Sequence, residues 1–359
     1  MKRIYPFALL LILAACQKEE KKVVDHSKSD WAYYKFNGNV ESISERSYEV
    51  KNESLDKGEP KRENAYSHDF DLFFNDEGKL VLEKKYLKNT ILHEVSKYDG
   101  RNKKLLLTQY MSGNPIMKSE YGWDKTGNNI SFVKRNTDNS QITRTEQKFK
   151  DTLLIEQIEY NSQDILTNKT KFIYDDKGRL KEEHFYFKEP TVQFRNVYDY
   201  DDEGRKIKDA RYKGEELDYT TLFTYEGNNL ASRETTEGTE NKPVRIEKFS
   251  YDANGNLAKE YMFDAFDKSE TIDEYKYDSN KNMIQRTLTE NKKVVFETTN
   301  EYDTKGNLSK TITVDAENTP IQQLSYTYEY DDKGNWIKKT VYKNDEPFVI
   351  VERNITYFE

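Results

Sequence analysis

Residues 324–336 read LSYTYEYDDKGNW, and this stretch decides the fold. Up to Tyr330, large and polar side chains alternate with a period of two, which is typical of a half-buried β-strand. Asp331 can accept a hydrogen bond from a backbone N–H further along a turn, and Gly334 can take the positive φ that a type I turn followed by a bulge requires. The stretch therefore predicts a strand, a tight turn and the start of a returning strand.

The same pattern recurs along the chain at a nearly constant interval. An aromatic residue, here called the anchor, precedes each turn, and successive anchors are 24 to 28 residues apart. The anchors are Phe74, Tyr98, Trp123, Phe149, Tyr174, Tyr200, Tyr225, Tyr251, Tyr277, Tyr302 and Tyr330. The most regular turns contain Asp175 and Gly178, Asp201 and Gly204, Asp252 and Gly255, Asp303 and Gly306, and Asp331 and Gly334. Self-similarity at this interval indicates a repeat architecture.

Each repeat is predicted to be a hairpin, with a second, variable turn leading to the next repeat. Residues 31–359 then form one all-β array, a long antiparallel meander of hairpins with about 25–26 residues per unit. Phe348–Val351 and Ile355–Tyr357 predict a closing strand. Because sheets twist, we expect about two dozen strands to coil or roll into a shell or an open superhelical sheet, with the aromatic face inside.

The first residues have the features of a signal peptide, predicted over residues 1–15. Lys2 and Arg3 precede an apolar run that is too short to span a membrane as a helix. The run ends in Leu-Ala-Ala-Cys at Cys16, which resembles a bacterial lipobox and holds the one cysteine of the chain. The alternative is a short buried helix with a chance cysteine. Cys16 is therefore the predicted lipidation site, and we expect no other cofactor.

Residues 16–30 are predicted to be the lipidated cysteine and a flexible polar tether. Gln17, Lys18, Glu19 and Glu20 resemble the export tag of surface-exposed lipoproteins of Bacteroidota. The alternative for these four residues is an ordinary charged tether. The sequence thus predicts a protein that is anchored to the outer membrane by lipid and exposed at the cell surface.

Composition excludes several functional classes. Lys and Arg total 57 and Asp and Glu total 65, a net charge of −8 that argues against a nucleic-acid partner. A single cysteine excludes an intrachain disulfide and cysteine-rich zinc sites. The four histidines, His26, His68, His93 and His184, lack the spacing of helical metal-ligand motifs. We expect no catalytic or metal-ligating residue from these patterns.

The Tyr-Asp-x-x-Gly-Asn/Arg-Leu units resemble the YD repeats of RHS-type proteins, over residues from about 74 to 337. This resemblance implies strands that spiral into a shell, which in long members encloses a C-terminal toxin. The interval of 25–26 residues is longer than the usual YD unit, and we recognise no toxin or self-cleavage segment after the last repeat. The resemblance therefore implies architecture and not a delivered-toxin activity.

Two kinds of side chain could carry function. The acidic turns offer oxygen ligands for Ca²⁺, but turn chemistry alone also explains their Asp and Gly residues. Trp31, Trp123, Trp336 and the many tyrosines could stack on sugar rings, or they could form a structural aromatic ladder. Trp336 stands where other repeats are polar, and we expect it to be exposed.

The function that these patterns favour is a non-enzymatic binding scaffold on the outer membrane, with an unknown protein or glycan partner. Repetition without a singular site favours extended surfaces over a catalytic pocket. The alternative is a surface lipoprotein that captures or processes carbohydrate. A periplasm-facing role in envelope maintenance is a third hypothesis.

Overall fold

The computed structural model describes residues 24–51, 55–61, 68–87, 90–240 and 242–359. A 3-10 turn, His26–Lys28, and a short helix α1, Asp30–Tyr33, precede 25 strands. The strands are β1 Val40–Val50, β2 Lys57–Pro60, β3 Asp69–Phe74, β4 Leu80–Tyr86, β5 Leu92–Tyr98, β6 Lys104–Met111, β7 Asn114–Trp123, β8 Asn129–Asn136, β9 Gln141–Lys150, β10 Leu153–Tyr160, β11 Leu166–Tyr174, β12 Leu180–Phe187, β13 Phe194–Tyr200, β14 Lys206–Lys213, β15 Glu216–Glu226, β16 Asn229–Glu237, β17 Pro243–Tyr251, β18 Leu257–Asp264, β19 Ser269–Tyr277, β20 Met283–Glu290, β21 Lys293–Tyr302, β22 Leu308–Asp315, β23 Pro320–Tyr330, β24 Trp336–Lys343 and β25 Glu346–Tyr357. Among the described residues, no helix is long and apolar enough to cross a membrane.

The strands form an antiparallel meander that closes on itself. From β3 onward each strand pairs with the next one in sequence, which confirms the predicted all-β meander. β25 then pairs with β1 over nine residue pairs, from Val40↔Tyr357 to Glu49↔Val349, and the other edge of β1 pairs with β3. The ring therefore contains 24 strands, β1 and β3–β25, while β2 extends the β1 edge beyond β3.

The prediction of an open superhelical sheet is wrong, because this β1–β25 pairing closes the sheet into a barrel. The predicted closing strand does exist, and its partner is the first strand of the chain. Closure satisfies the backbone N–H and C=O groups that an open sheet would leave exposed at two edges. A circular ring of 24 strands is at least about 37 Å across at about 4.8 Å per strand.

The aromatic side chains lie on the less exposed face of the sheet. Along β23, Tyr326, Tyr328 and Tyr330 are half-buried, while the alternating Thr327 and Glu329 are exposed. Side chains converge on the concave face of a closed sheet, so the face that carries the aromatic residues is the concave one.

The buried hydrophobic residues of the described chain lie almost entirely beside the closure. They are Trp31, Phe36, Val40, Ile43, Leu72, Phe74, Leu80, Val341, Val349, Ile350 and Val351, whereas Ile158 and Ala210 are the two elsewhere. Aromatic residues along the rest of the wall, such as Phe249 and Tyr275, are only partly buried. The barrel therefore encloses a solvent-accessible hollow instead of a packed core.

Each anchor introduces a bulge into the returning strand. Tyr174 pairs with Leu180 and Ile173 pairs with Glu182, so Lys181 is left without a partner on β11. The turn residues are held by local hydrogen bonds. Gly178 has φ 76°, its N–H donates to the Asp175 carbonyl, and the Asp175 carboxylate accepts from the N–H of Arg179 at 2.9 Å.

The turns that follow the anchors, from 75–79 to 331–335, form one end of the barrel, here called the Asp–Gly rim. The connecting turns form the opposite end, here called the variable rim.

Candidate functional site

The concave wall is held together by a hydrogen bond that recurs between neighbouring repeats. The hydroxyl of Tyr200 donates to the carbonyl of Leu180, at the bulge of the preceding repeat, at 2.7 Å. Equivalent bonds from anchors run from Tyr174 to Leu154, Tyr225 to Lys206, Tyr251 to Leu230 and Tyr302 to Met283, and the indole of Trp123 donates in the same way to Lys104. In the last repeat, Tyr328, two residues before the anchor, donates to the Leu308 carbonyl, whereas the anchor Tyr330 donates to the Asp303 carboxylate. A bulge disrupts the ladder locally, and the anchor of the next repeat supplies a donor there.

Replacing Tyr200 with phenylalanine removes this donor while keeping the ring. We expect Tyr200→Phe to lower the free energy of unfolding by about 1 kcal/mol, because the Leu180 carbonyl loses its bond. Urea denaturation followed by tyrosine fluorescence measures the change. The reverse substitution Phe149→Tyr, at an anchor without a hydroxyl, is the matched control and should not destabilise. Equal losses for both variants would show that ring packing alone matters.

The closure contains a buried ion pair. Arg353 of β25 donates to the Glu45 carboxylate of β1 at 2.8 Å, and its guanidinium lies 3.3 Å from the centroid of Trp336. Burial raises the pKa of the Glu45 carboxyl and lowers that of the Arg353 guanidinium, because each charged form loses water. Trp336, which the sequence predicts to be exposed, is instead half-buried beneath Arg353. The ion pair thus joins the first and last strands, and the stacking on Trp336 ties Arg353 to β24.

Residues 24–37, here called the N-terminal segment, lie on the Asp–Gly rim across the closure. The N–H of Asp30 donates to the Gly78 carbonyl at 2.8 Å, and the N–H of Asn37 donates to the Asn335 side chain at 2.8 Å. Trp31 is fully buried against this rim. Residues 24–30, which the sequence places in a flexible tether, are therefore packed on the barrel.

Among the recesses of the concave face, two lie beside tryptophan residues. One, of about 390 Å³, lies between the N-terminal segment and the closure, beside Tyr34, Lys305 and Trp336. The other, of about 600 Å³, extends across β5–β10, with Tyr121 and Trp123 among its lining residues. The first is part of the closure, whereas the second is a gap in the repeated wall.

The recess across β5–β10 has an aromatic floor. The rings of Tyr121 and Phe132 are directly opposite on β7 and β8, with centroids 5.1 Å apart. The indole N–H of Trp123 donates to the Lys104 carbonyl at 2.8 Å and fixes the ring. Burial raises the pKa of the Tyr121 hydroxyl, and burial together with the nearby Glu83 raises that of Tyr98 to about 12. Both hydroxyls are therefore neutral at physiological pH.

The acidic turns use their carboxylates to hold the turns themselves. At Asp124, one carboxylate oxygen accepts from the Thr126 hydroxyl at 2.7 Å and from the N–H groups of Gly127 and Asn128 at 2.8 Å. Within the described residues, no group of three or more His, Cys, Asp or Glu side chains is arranged to hold a metal ion. The question of Ca²⁺ binding therefore stays a prediction about single turns.

The turn carboxylates predict a loss of stability in acid. Hydrogen bonds from the Thr126 hydroxyl, from the backbone N–H and side chain of Asn128, and from the Gly127 N–H lower the pKa of Asp124 to about 2. A folded-state pKa below the ordinary 3.8 gives a contribution that is present above about pH 4 and is lost as the pH falls toward 2. We expect the urea midpoint to fall in that interval, and Asp124→Asn to reduce the slope. Asp176→Asn, at an exposed turn position, is the control, and an identical slope in both variants would contradict the prediction.

The other sequence-predicted residues divide into two groups. Cys16 and the Gln17–Glu20 tag lie outside the described residues. Of the histidines, His184 bonds to Glu182 at 2.8 Å and His26 bonds to the Asn39 side chain at 3.0 Å. The rings of His68 and His93 are stacked with centroids 5.9 Å apart.

No protein-family model matches the chain, and no curated protein matches it. Solved structures similar in part are a crystal structure of TcdB2-TccC3-TEV and the Photorhabdus luminescens Tc holotoxin pore, each with 14% identity, a TM-score of 0.29 and coverage of 79% of this chain and 19% of the other. A porin-like protein from Bacteroides uniformis has 8% identity and a TM-score of 0.26, and the match covers 89% of this chain and 98% of that one. The chain spans about a fifth of the length of the toxin chains that it matches.

These similarities are too low to carry a functional argument, and the resemblance to YD-repeat proteins stays a prediction. The protein is a closed antiparallel barrel of hairpin repeats, fastened by a buried ion pair and an N-terminal segment, with a solvent-accessible concave wall.

Proposed function

We propose that the protein is a non-enzymatic binding scaffold, attached to the outer membrane through a lipid on Cys16 and exposed at the cell surface. The observation that carries the proposal is the hollow barrel, whose concave wall presents partly exposed aromatic and polar side chains instead of burying them in a core. A rigid wall built from repeats offers an extended surface for a partner.

The position of the N-terminal segment supports an orientation on the membrane. Val24 packs against the buried cluster around Trp31 at the Asp–Gly rim. The eight residue steps from Cys16 to Val24 span at most about 28 Å when fully extended. A lipid on Cys16 would therefore hold the Asp–Gly rim close to the membrane and direct the variable rim away from it.

Single cysteines on the two rims test this arrangement. We would label intact cells with a membrane-impermeant maleimide in two variants, Glu215→Cys on the variable rim and Asp202→Cys on the Asp–Gly rim, both at exposed positions. The proposal predicts rapid labelling of Glu215→Cys and slower labelling of Asp202→Cys, with equal labelling after lysis and extraction. Labelling of neither variant before lysis would place the barrel in the periplasm. Metabolic incorporation of labelled palmitate into the wild type but not into Cys16→Ala tests the anchor separately.

A further inference from the structure

The recess across β5–β10 lies beside two breaks in the aromatic pattern of the repeat. The position two residues before the anchor is aromatic in most repeats, as in Tyr121, Phe172, Tyr198, Phe223, Phe249, Tyr275 and Tyr328. It is Leu72 before Phe74, Ser96 before Tyr98, Gln147 before Phe149 and Asn300 before Tyr302. Tyr121 therefore has a small or polar residue at the equivalent position of the repeat on either side. Gln147, one of these two residues, lines the recess of about 600 Å³ that opens beside Tyr121.

Carboxamides line the side of the recess opposite the rings. The amide of Gln147 on β9 donates to the amide oxygen of Gln157 on β10 at 3.0 Å, and Gln157 donates in turn to Glu159 at 3.1 Å. This chain orients both amides. Thr145, Asn129, Asn102 and Lys104 complete the polar lining.

A second break occurs at the anchor itself. Phe149 has no hydroxyl to donate to the carbonyl of Asn129, which occupies the same place as the Leu180 carbonyl that Tyr200 reaches. The Phe149 repeat therefore lacks the interlocking bond that neighbouring repeats make, at a residue that lines the recess. A backbone carbonyl that receives no tyrosine hydroxyl from the next repeat could accept a hydrogen bond from a ligand hydroxyl.

We propose that this recess binds a neutral oligosaccharide, an inference that deepens the proposed binding function and rests on it. A sugar ring has an apolar C–H face, which suits the Tyr121, Trp123 and Phe132 rings, and hydroxyl groups that both donate and accept hydrogen bonds. Carboxamides likewise donate and accept, so Gln147 and Gln157 match hydroxyls better than they match an ion. The rings on β7 and the amides on β10 lie three strands, about 14 Å, apart. This span is longer than one sugar ring and fits a short chain.

Calorimetric titration of the full-length protein tests the proposal. The protein is kept in a detergent without a sugar headgroup, and the probes are cellotetraose, xylotetraose, mannotetraose and maltotetraose. We expect at least one of these neutral chains to bind and to change tryptophan fluorescence through Trp123. Tyr121→Ala should weaken that binding about tenfold or more, and Gln147→Met, which keeps the volume but removes the amide, should weaken it severalfold. Phe249→Ala removes a ring from the same position of another repeat and should leave the affinity unchanged.

The outcomes separate this inference from the proposed function. Three results would contradict the proposed saccharide site. None of the four chains binds, only an acidic chain such as tetragalacturonate binds, or Phe249→Ala weakens binding as much as Tyr121→Ala does. Unchanged thermal melting of each variant shows that a lost affinity reflects lost contacts. The rim-labelling experiment does not depend on saccharide, so it can support the scaffold even if this site fails.

Discussion

Replacing Arg353 with methionine is expected to lower the free energy of unfolding by about 3–5 kcal/mol. Arg353 and Glu45 have side chains that are only 16% and 14% exposed, and they bond at 2.8 Å across the β1–β25 closure. Removing the arginine leaves the Glu45 carboxylate buried without a partner, which costs far more than the pair itself contributes. The stacking of Arg353 on Trp336 is lost as well.

A double-mutant cycle separates the cost of an unpaired buried carboxylate at Glu45 from the loss of the Arg353 side chain itself. Glu45→Leu combined with Arg353→Met removes both charges, and we expect it to recover most of the stability that either single change loses. Lys57 and Glu352 form a more exposed pair that also lies beside the closure, and Lys57→Met should cost less than about 1 kcal/mol. Equal effects of Arg353→Met and Lys57→Met in urea denaturation would contradict a buried pair at the closure.

Replacing Trp31 with alanine is likewise expected to lower the free energy of unfolding by about 3–5 kcal/mol, as truncation of other buried aromatic residues does. Trp31 is fully buried, and its indole N–H donates to the Val40 carbonyl at 2.8 Å. Its ring also covers Gly78, where an added Cβ would lie 2.6 Å from the indole. Without Trp31 the N-terminal segment loses its main contact with the first turn of the Asp–Gly rim.

Limited proteolysis and thermal melting measure this loss. In Trp31→Ala we expect a lower melting temperature and faster cleavage within residues 24–37. The neighbouring Tyr33 is 81% exposed, so Tyr33→Ala is the matched control and should leave both measurements unchanged. If Trp31→Ala behaves like Tyr33→Ala, the N-terminal segment does not stabilise the closure.

The meander could be predicted from the sequence because its signals are local. Alternation along a strand and an Asp–Gly turn are each encoded within about a dozen residues, and both recur several times along the chain. The closure could not be predicted in the same way. It depends on the register between β1 and β25, which are about 300 residues apart, and on twist accumulated over all the intervening strands.

The packing of residues 24–30 on the barrel could not be predicted from their composition. They are mostly polar, which favours a tether, but Trp31 and Val24 bury enough apolar surface to hold them on the rim. The predicted exposure of Trp336 is wrong for a related reason. The residue that covers it, Arg353, comes from the closing strand and is not in its own repeat.

The recess did leave a signal in the sequence. Ser96 and Gln147 interrupt the aromatic residues two places before the anchors, as Leu72 and Asn300 also do, and the anchor Phe149 has no hydroxyl. Comparing repeats position by position marks these places as irregular but does not show which of them opens a recess. Its depth and the opposition of Tyr121 and Phe132 depend on strand pairing, which the sequence pattern alone did not fix.

A disulfide across the closure tests the central claim most directly. Ser42 and Thr356 face each other on β1 and β25, with hydroxyl oxygens 2.7 Å apart, a separation within reach of a disulfide once both are cysteine. We would introduce Ser42→Cys and Thr356→Cys with Cys16 replaced by alanine, oxidise the folded protein and identify the linked peptides by mass spectrometry. Thr224→Cys with Ser232→Cys, an equivalent pair within one hairpin, is the control.

A closed barrel predicts that both pairs form an intramolecular disulfide rapidly and to a similar extent. An open sheet would give the Thr224–Ser232 disulfide alone, or would link Ser42 and Thr356 only between molecules, and that result would contradict the closed fold.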